Sequence, residues 1–189
     1  MAWVCSARKA LLDFALRPEL PSPFIRCRSH KRKGDIFLSM STSIERQVDV
    51  PFSALQMYAL VNDISAYPDF LPWCEQTRIL QASGDEVEAS VTLRKGAVRK
   101  TFVTRNHNDP GSRIIVTLID GPFRHLDGYW RFEDLPDGGS RVTLDMRFEF
   151  SNRLLERIIG PIFAEIVKSL VGAFRKRAYQ VYPVEDGQA

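Results

Sequence analysis

The chain predicts an α+β fold in which an antiparallel sheet of about seven strands curls around one long C-terminal helix. Three observations predict it. Runs with two-residue alternation of apolar and polar side chains recur between residues 86 and 150, separated by turns bearing glycine and proline. A broad apolar stripe then repeats at helical spacing from Leu154 to Ala178, wider than a coiled-coil seam, so that helix must lie across something large. The order strand, two short helices, strands, long helix is that of an α+β arrangement with its ligand space between sheet and last helix.

Each element has its own warrant. Ser43 to Val50 reads as a strand. Ser53 then offers a side-chain oxygen to the orphan amides of a helix carrying Leu55, Tyr58, Ala59 and Asn62 at helical spacing. A shorter helix is expected over Ile64 to Tyr67 and should end at Pro68, because proline disfavours helical geometry in the residue before it. Pro72 follows, and Trp73-Cys74 stands at the mouth of the next strand. From Glu86 to Arg94, Val87, Ala89, Val91 and Leu93 share one face against Glu86, Glu88, Ser90, Thr92 and Arg94. Lys95-Gly96 turns the chain into a strand from Ala97 to His107, and Asp109-Pro110-Gly111 turns it again. Ile114 to Ile119 is a strand ended by Asp120-Gly121-Pro122. Leu126, Gly128, Trp130 and Phe132 alternate with His125, Asp127, Tyr129 and Arg131. After Pro136-Asp137-Gly138-Gly139, Val142, Leu144, Met146, Phe148 and Phe150 share the inner face of the last strand. The final helix is expected from about Asn152 to Val181. Gly160-Pro161 inside it predicts a kink or restart, since an interior proline loses an amide bond and crowds the carbonyl four residues back.

The chain's 189 residues suit one domain with an appended segment, and a body of this size needs no metal or disulfide staple. The net charge of +3 is carried by the leader: residues 1–40 hold eight Lys/Arg and three Asp/Glu, leaving 18 basic and 20 acidic residues for 41–189. A body near −2 is no general nucleic-acid binder, and DNA is not an expected partner. Cys5, Cys27 and Cys74 show no CxxC spacing, so neither a disulfide framework nor a zinc site is indicated, and the chain reads as intracellular and reduced. No run approaches the roughly 18 apolar residues of a membrane span. Residues 1–40 form a basic extension, either an upstream segment before a start at Met40 or a mitochondrial targeting leader, and residues 41–189 form the domain.

With these elements in place, four segments resemble a known family. YALVNDISAYPDFLPWC, DGPFRHLDGYWRF, FEFSNRL and LVGAFRKRA are similar, in order and spacing, to the coenzyme Q-binding START-domain family of the polyketide cyclase-like, helix-grip superfamily, which includes bacterial ribosome association toxins. The resemblance covers about Ser43 to Tyr182. Trp73-Cys74 resembles its coenzyme Q-binding side and Val61-Asn62-Asp63 its bacterial side. It implies non-catalytic binding of ubiquinone or a related polyisoprenoid in support of respiration, as a bound ligand with no cofactor, and contact with a membrane surface during loading. A second implied role is association with the large ribosomal subunit that blocks subunit joining. The implied location is the cytoplasm of a bacterium, peripheral to its membrane, or the matrix side of the inner mitochondrial membrane if residues 1–40 are a transit peptide.

The residues themselves offer little for catalysis. His107 and His125 are the body's histidines, with no carboxylate at evident ligand spacing. Cys74 beside Trp73 reads as apolar filler. Asp137-Gly138-Gly139 is explained as a turn, and Asp145 and Glu149 read as surface charge pairs with Arg141 and Arg147. An aromatase or cyclase-type enzyme therefore lacks parts, and the chain is expected to be no enzyme. A binding cavity is better supplied. Trp130, Phe132, Met146, Phe148 and Phe150 from the sheet and Ile162, Ile166, Leu170 and Phe174 from the helix would line it, with Tyr67, Phe70, Leu71 and Trp73 in a loop acting as a lid. A flat quinone head would stack on Trp or Phe and accept a hydrogen bond from Tyr129, Tyr67 or an Arg. Two basic patches are candidates for ribosome or anionic-lipid contact: Arg94, Lys95, Arg99, Lys100 and Arg105 around one hairpin, and Arg175, Lys176 and Arg177 near the end of the last helix.

Overall fold

A computed structural model describes residues 41–183, and the expectations for residues 1–40 lie outside the described residues. Its elements are β1 (Thr42–Val50), α1 (Ala54–Asn62), a 3₁₀ turn (Ile64–Ala66), α2 (Tyr67–Phe70), β2 (Cys74–Ser83), β3 (Glu86–Lys95), β4 (Val98–Asp109), β5 (Arg113–Asp120), β6 (Phe123–Asp134), β7 (Ser140–Phe150) and α3 (Arg153–Val181). The strands form one sheet in the order β1-β7-β6-β5-β4-β3-β2, antiparallel throughout. Strands β2 to β7 are therefore a meander closed by short turns, and β1 adds to its far edge. The segment from α1 to α2 connects the two edge strands. Helix α3 packs on the sheet's inner face through Ile159, Phe163, Ile166, Val167, Val171, Phe174 and Ala178, all buried.

Local chemistry explains the ends of the elements. Ser53 Oγ accepts from Gln56 N while Gln56 Oε1 accepts from Ser53 N at 2.8 Å, a reciprocal cap for α1. Asp134 at the end of β6 accepts from Ala54 N at 2.7 Å, which fastens the same helix end to the sheet. Asn152 Oδ1 caps α3 by accepting from Leu155 N at 2.9 Å. Pro68 does not end the short helix. It opens α2 from the first turn, where the missing N–H would have had no partner anyway. Likewise α3 runs through Pro161 as one helix of 29 residues with no restart, and Pro161 is exposed.

The alternation expected in β3, β6 and β7 is present, except that Thr92 and Thr143 on the outward faces are also buried. Val142, Leu144, Met146, Phe148 and Phe150 are all buried and face Phe132, Trp130, Gly128, Leu126 and Phe123 across the β6–β7 ladder. Gly128 is required there: a Cβ at this position would run into the Asp145 carbonyl and sit 3.0 Å from Met146 Cα. The α3 stripe is narrower at its start than the sequence suggests, because Leu154 and Ile158 in the first two turns stand 67% and 52% exposed.

Candidate functional site

Between sheet and α3 lies a cavity of about 100 Å³. Its floor is the inner face of the middle strands: Ala89, Val91 and Leu93 from β3, Phe102, Thr104 and Asn106 from β4, Ile114 and Val116 from β5. Leu126, Trp130 and Met146 continue it. Phe163, Ile166, Val167, Leu170 and Phe174 form the α3 wall, and Val61, Ile64, Tyr67 and Trp73 close the side nearest the short helices. None of these twenty residues is charged. The space would hold several waters, because a single water needs only about 10–15 Å³ on this measure, and of a lipid only one end could lie in it. A long isoprenoid chain would have to continue outside it.

Seven expected lining residues meet here: Tyr67, Trp73, Trp130, Met146, Ile166, Leu170 and Phe174. Six lie elsewhere. Phe148 and Phe150 join Phe123 and Phe163 in an aromatic cluster with centroids 4.8–6.4 Å apart. Phe132 stacks behind Trp130 and meets the Tyr58 edge. Phe70 packs edge-on against Tyr67 and Phe174, Leu71 is fully buried in the core, and Ile162 borders a smaller hollow beside Lys95, Val98 and Lys100.

The Tyr67–Trp73 segment, expected to act as a lid, is tied to its surroundings by three contacts. Tyr67 Oη donates to the Val61 carbonyl at 2.5 Å, Leu71 is buried, and the Trp73 carbonyl accepts from Arg94 N at 2.8 Å. Burial holds the Tyr67 hydroxyl far above its ordinary pKa, so it stays a neutral donor already in use. Tyr129 lies on the outer face with Arg131 over its ring at 5.6 Å. Neither tyrosine is a free donor inside the cavity.

The lining's hydrogen-bonding pair is instead Thr104 and Asn106, which sequence reading missed. Thr104 Oγ1 donates to Asn106 Oδ1 at 3.3 Å. The signal was present in β4, whose inward positions Phe102, Thr104, Asn106 and Asn108 put three polar groups in a row where the neighbouring strands place aliphatic ones. An unpaired buried amide costs about 1–3 kcal/mol, so such a row calls for a partner or a purpose.

The remaining candidates for chemistry are accounted for. Cys74 is buried and unpaired, and burial pushes its thiol up to about 11, the opposite of an activated nucleophile. Both histidines do approach carboxylates, contrary to expectation: His107 Nε2 lies 3.3 Å from Asp85, and His125 contacts Asp127, in each case on the exposed outer face away from the cavity. Among the described residues no group of three His, Cys, Asp or Glu is placed to hold a metal, and no helix is long and apolar enough to cross a membrane. Glu149 pairs with Arg124 at 2.9 Å and Arg141 with Asp49 at 2.8 Å, so Asp145–Arg147 at 3.8 Å is the pair that follows the expected partners.

The basic patches differ from each other. In the hairpin patch Arg94 and Arg99 share Glu75 at 3.2 and 2.5 Å, Arg105 binds Glu88 at 2.6 Å, and Lys95 meets Glu165 at 2.7 Å. These arginines hold the Glu75 carboxyl below its usual range. On α3, Arg177 lies over the Phe70 ring, while Arg175 and Lys176 have no ion-pair partner among the described residues. Lys168 stands earlier on the same helix, also exposed and without an ion-pair partner among the described residues. The helix continues to Val181, so these charges lie beyond the reach of its C-terminal dipole.

A seven-stranded antiparallel sheet gripping a long helix, with a small uncharged cavity between them, defines a helix-grip domain. Residues 50–175 match the family described as polyketide cyclase / dehydrase and lipid transport, and the chain belongs to that family. It is 42% identical over 139 residues to the ribosome association toxin RatA of Escherichia coli K12, covering 74% of this chain and 88% of that protein. It is 32% identical over 135 residues to the mitochondrial coenzyme Q-binding protein COQ10 homolog B of Xenopus laevis, covering 69% of this chain and 55% of that protein. Among solved structures, a START superfamily protein from Mycobacterium smegmatis superposes with TM-score 0.63 at 19% identity, covering 74% of this chain and 99% of that one. The Zhui aromatase/cyclase from Streptomyces superposes with TM-score 0.65 at 17% identity, covering 78% and 99%. Likenesses at that identity establish the fold alone.

Proposed function

We propose that this chain acts by binding and not by catalysis, and that its partner is the large ribosomal subunit, association with which blocks subunit joining. This reverses the order in which the sequence alone ranked the two roles. The observation that carries it is the 42% identity to a protein named for ribosome association, spread over nearly the whole of that protein. The exposed Lys168, Arg175 and Lys176 on α3 support it, since unpaired cations are what a phosphate backbone binds, whereas the hairpin cations are largely neutralised by glutamates. Sedimentation with purified ribosomal subunits tests the reading. The expected result is comigration with large subunits and loss of assembled ribosomes as protein is added. Comigration with neither subunit overturns it.

A second reading is binding of a neutral isoprenoid lipid such as ubiquinone in the cavity, favoured by its uncharged, aromatic lining. At roughly 25 cal/mol per Å² of apolar surface buried, a ring and its first tail carbons would be held without strong polar recognition. Mass spectrometry of the organic extract of gently purified protein should find a stoichiometric lipid. Protein purified without one, and unable to take up added quinone, would remove this reading and leave the first intact.

A further inference from the structure

Asn106 is a donor without an acceptor. Thr104, Asn106 and Asn108 follow one another on the inner face of β4, each less than a tenth exposed. Asn108 Oδ1, one step further along, is sealed in packing with no partner. Asn106 differs because it lines the cavity. Its Oδ1 is occupied by the Thr104 hydroxyl, which turns the amide nitrogen into the free end, and that nitrogen has no hydrogen-bond partner among the described residues. The other N–H groups on lining side chains are the indoles of Trp73 and Trp130. With no charge in the lining, an ionised head would be left unpaired in a low-dielectric space.

We infer that Asn106 Nδ2, oriented by Thr104, donates a hydrogen bond to an uncharged oxygen acceptor, a ring carbonyl or ether, on a lipid whose head occupies the cavity while its apolar tail leaves through the opening. This rests on the lipid reading above and adds to it the orientation of the ligand and the basis of its selection. The cavity's volume of about 100 Å³ is too small for a whole isoprenoid lipid, so only one end of it can lie inside, and the buried amide favours the polar end. A ligand without the oxygen leaves the amide unpaired, and sites built on a buried donor discriminate strongly against analogues that lack its partner.

The test is displacement of the neutral cavity dye 1-aminoanthracene from the full chain by two probes with the same tail, 2,3-dimethoxy-5-methyl-6-decyl-1,4-benzoquinone and decylbenzene. The expected result is a preference for the quinone of roughly tenfold, the worth of one net hydrogen bond. Asn106→Leu should erase that margin without weakening decylbenzene, and the near-isosteric Thr104→Val, which keeps the packing if the first variant does not fold, should narrow it. If both probes displace the dye and the margin survives in these variants, the anchor assignment is overturned while the cavity reading stands. If neither probe displaces it from the unaltered chain, the lipid reading falls and this inference with it.

Discussion

Gly128 is the residue on which the β6–β7 ladder depends most sharply. Its neighbour across the ladder is Met146, and a Cβ would press into the Asp145 carbonyl, which no side-chain rotation can relieve. Gly128→Ala should therefore cost about 1–3 kcal/mol in urea unfolding, the range of overpacked cores, even though alanine loses less backbone entropy on folding than glycine. Cys74 gives a prediction of opposite kind. Burial raises its thiol from 9.0 to about 11, so at pH 8 it carries roughly a hundredfold less thiolate than an ordinary cysteine. In a chain with Cys5→Ser and Cys27→Ser, iodoacetamide should label Cys74 at least that much more slowly folded than in urea. The sign of the linked stability follows: the folded state binds the proton more tightly, so the contribution is complete below about pH 9 and is lost as pH rises through about 11. At this scale the sequence indicated that Cys74 is a buried apolar filler, but not that Gly128 is obligatory. The alternation of Leu126, Gly128, Trp130 and Phe132 showed which face it occupies, whereas the approach of Asp145 depends on the register between two strands.

At the scale of elements, helix ends were legible where a side chain supplies a missing bond. Ser53, read as a cap, caps α1, and Asn152, read only as the approximate start of the last helix, proves to cap α3. Asn152→Ala should destabilise the protein by about 1 kcal/mol and Asn152→Gly by a few tenths, measured by thermal or urea unfolding, because glycine retains much of the backbone geometry of a cap. Pro68 does not end a helix because it sits in a first turn, where its missing N–H has no partner to lose. At Pro161 the helix continues without the restart, and the exposed position lets water reach the carbonyl the proline leaves free. The strands were legible because alternation reports directly on which face is buried. The aromatic residues of β7 lie on the face the sequence indicates but at a different position along it: Phe148 and Phe150 pack against Phe123 and Phe163 and do not line the cavity, which Phe163 itself borders. Period-2 patterning carries no information on position along the sheet's curl, and that position decides which inward residues reach the cavity and which do not.

For the whole molecule, charge must be judged after pairing. By sequence the hairpin patch is the richer in cations, yet Arg94, Arg99, Arg105 and Lys95 each meet a glutamate drawn from β2, β3 or α3, partners that lie far off along the chain. No window of sequence reveals such neutralisation. Exposed pairs of this kind contribute little to stability, but they lower the field available to an anionic partner. Helix α3 keeps Lys168, Arg175 and Lys176 without ion-pair partners among the described residues, and the ribosome reading can be localised by that difference. Arg175→Gln with Lys176→Gln should reduce cosedimentation with large subunits and make the logarithmic salt dependence of binding shallower by nearly two, since each cation that neutralises a phosphate contributes close to one to that slope. Arg94→Gln with Arg99→Gln removes the same formal charge but exposes Glu75, and should leave the slope unchanged. If the hairpin pair changes the slope and the α3 pair does not, the ribosomal face of this protein is the β3–β4 hairpin, and its ion pairs must open on binding.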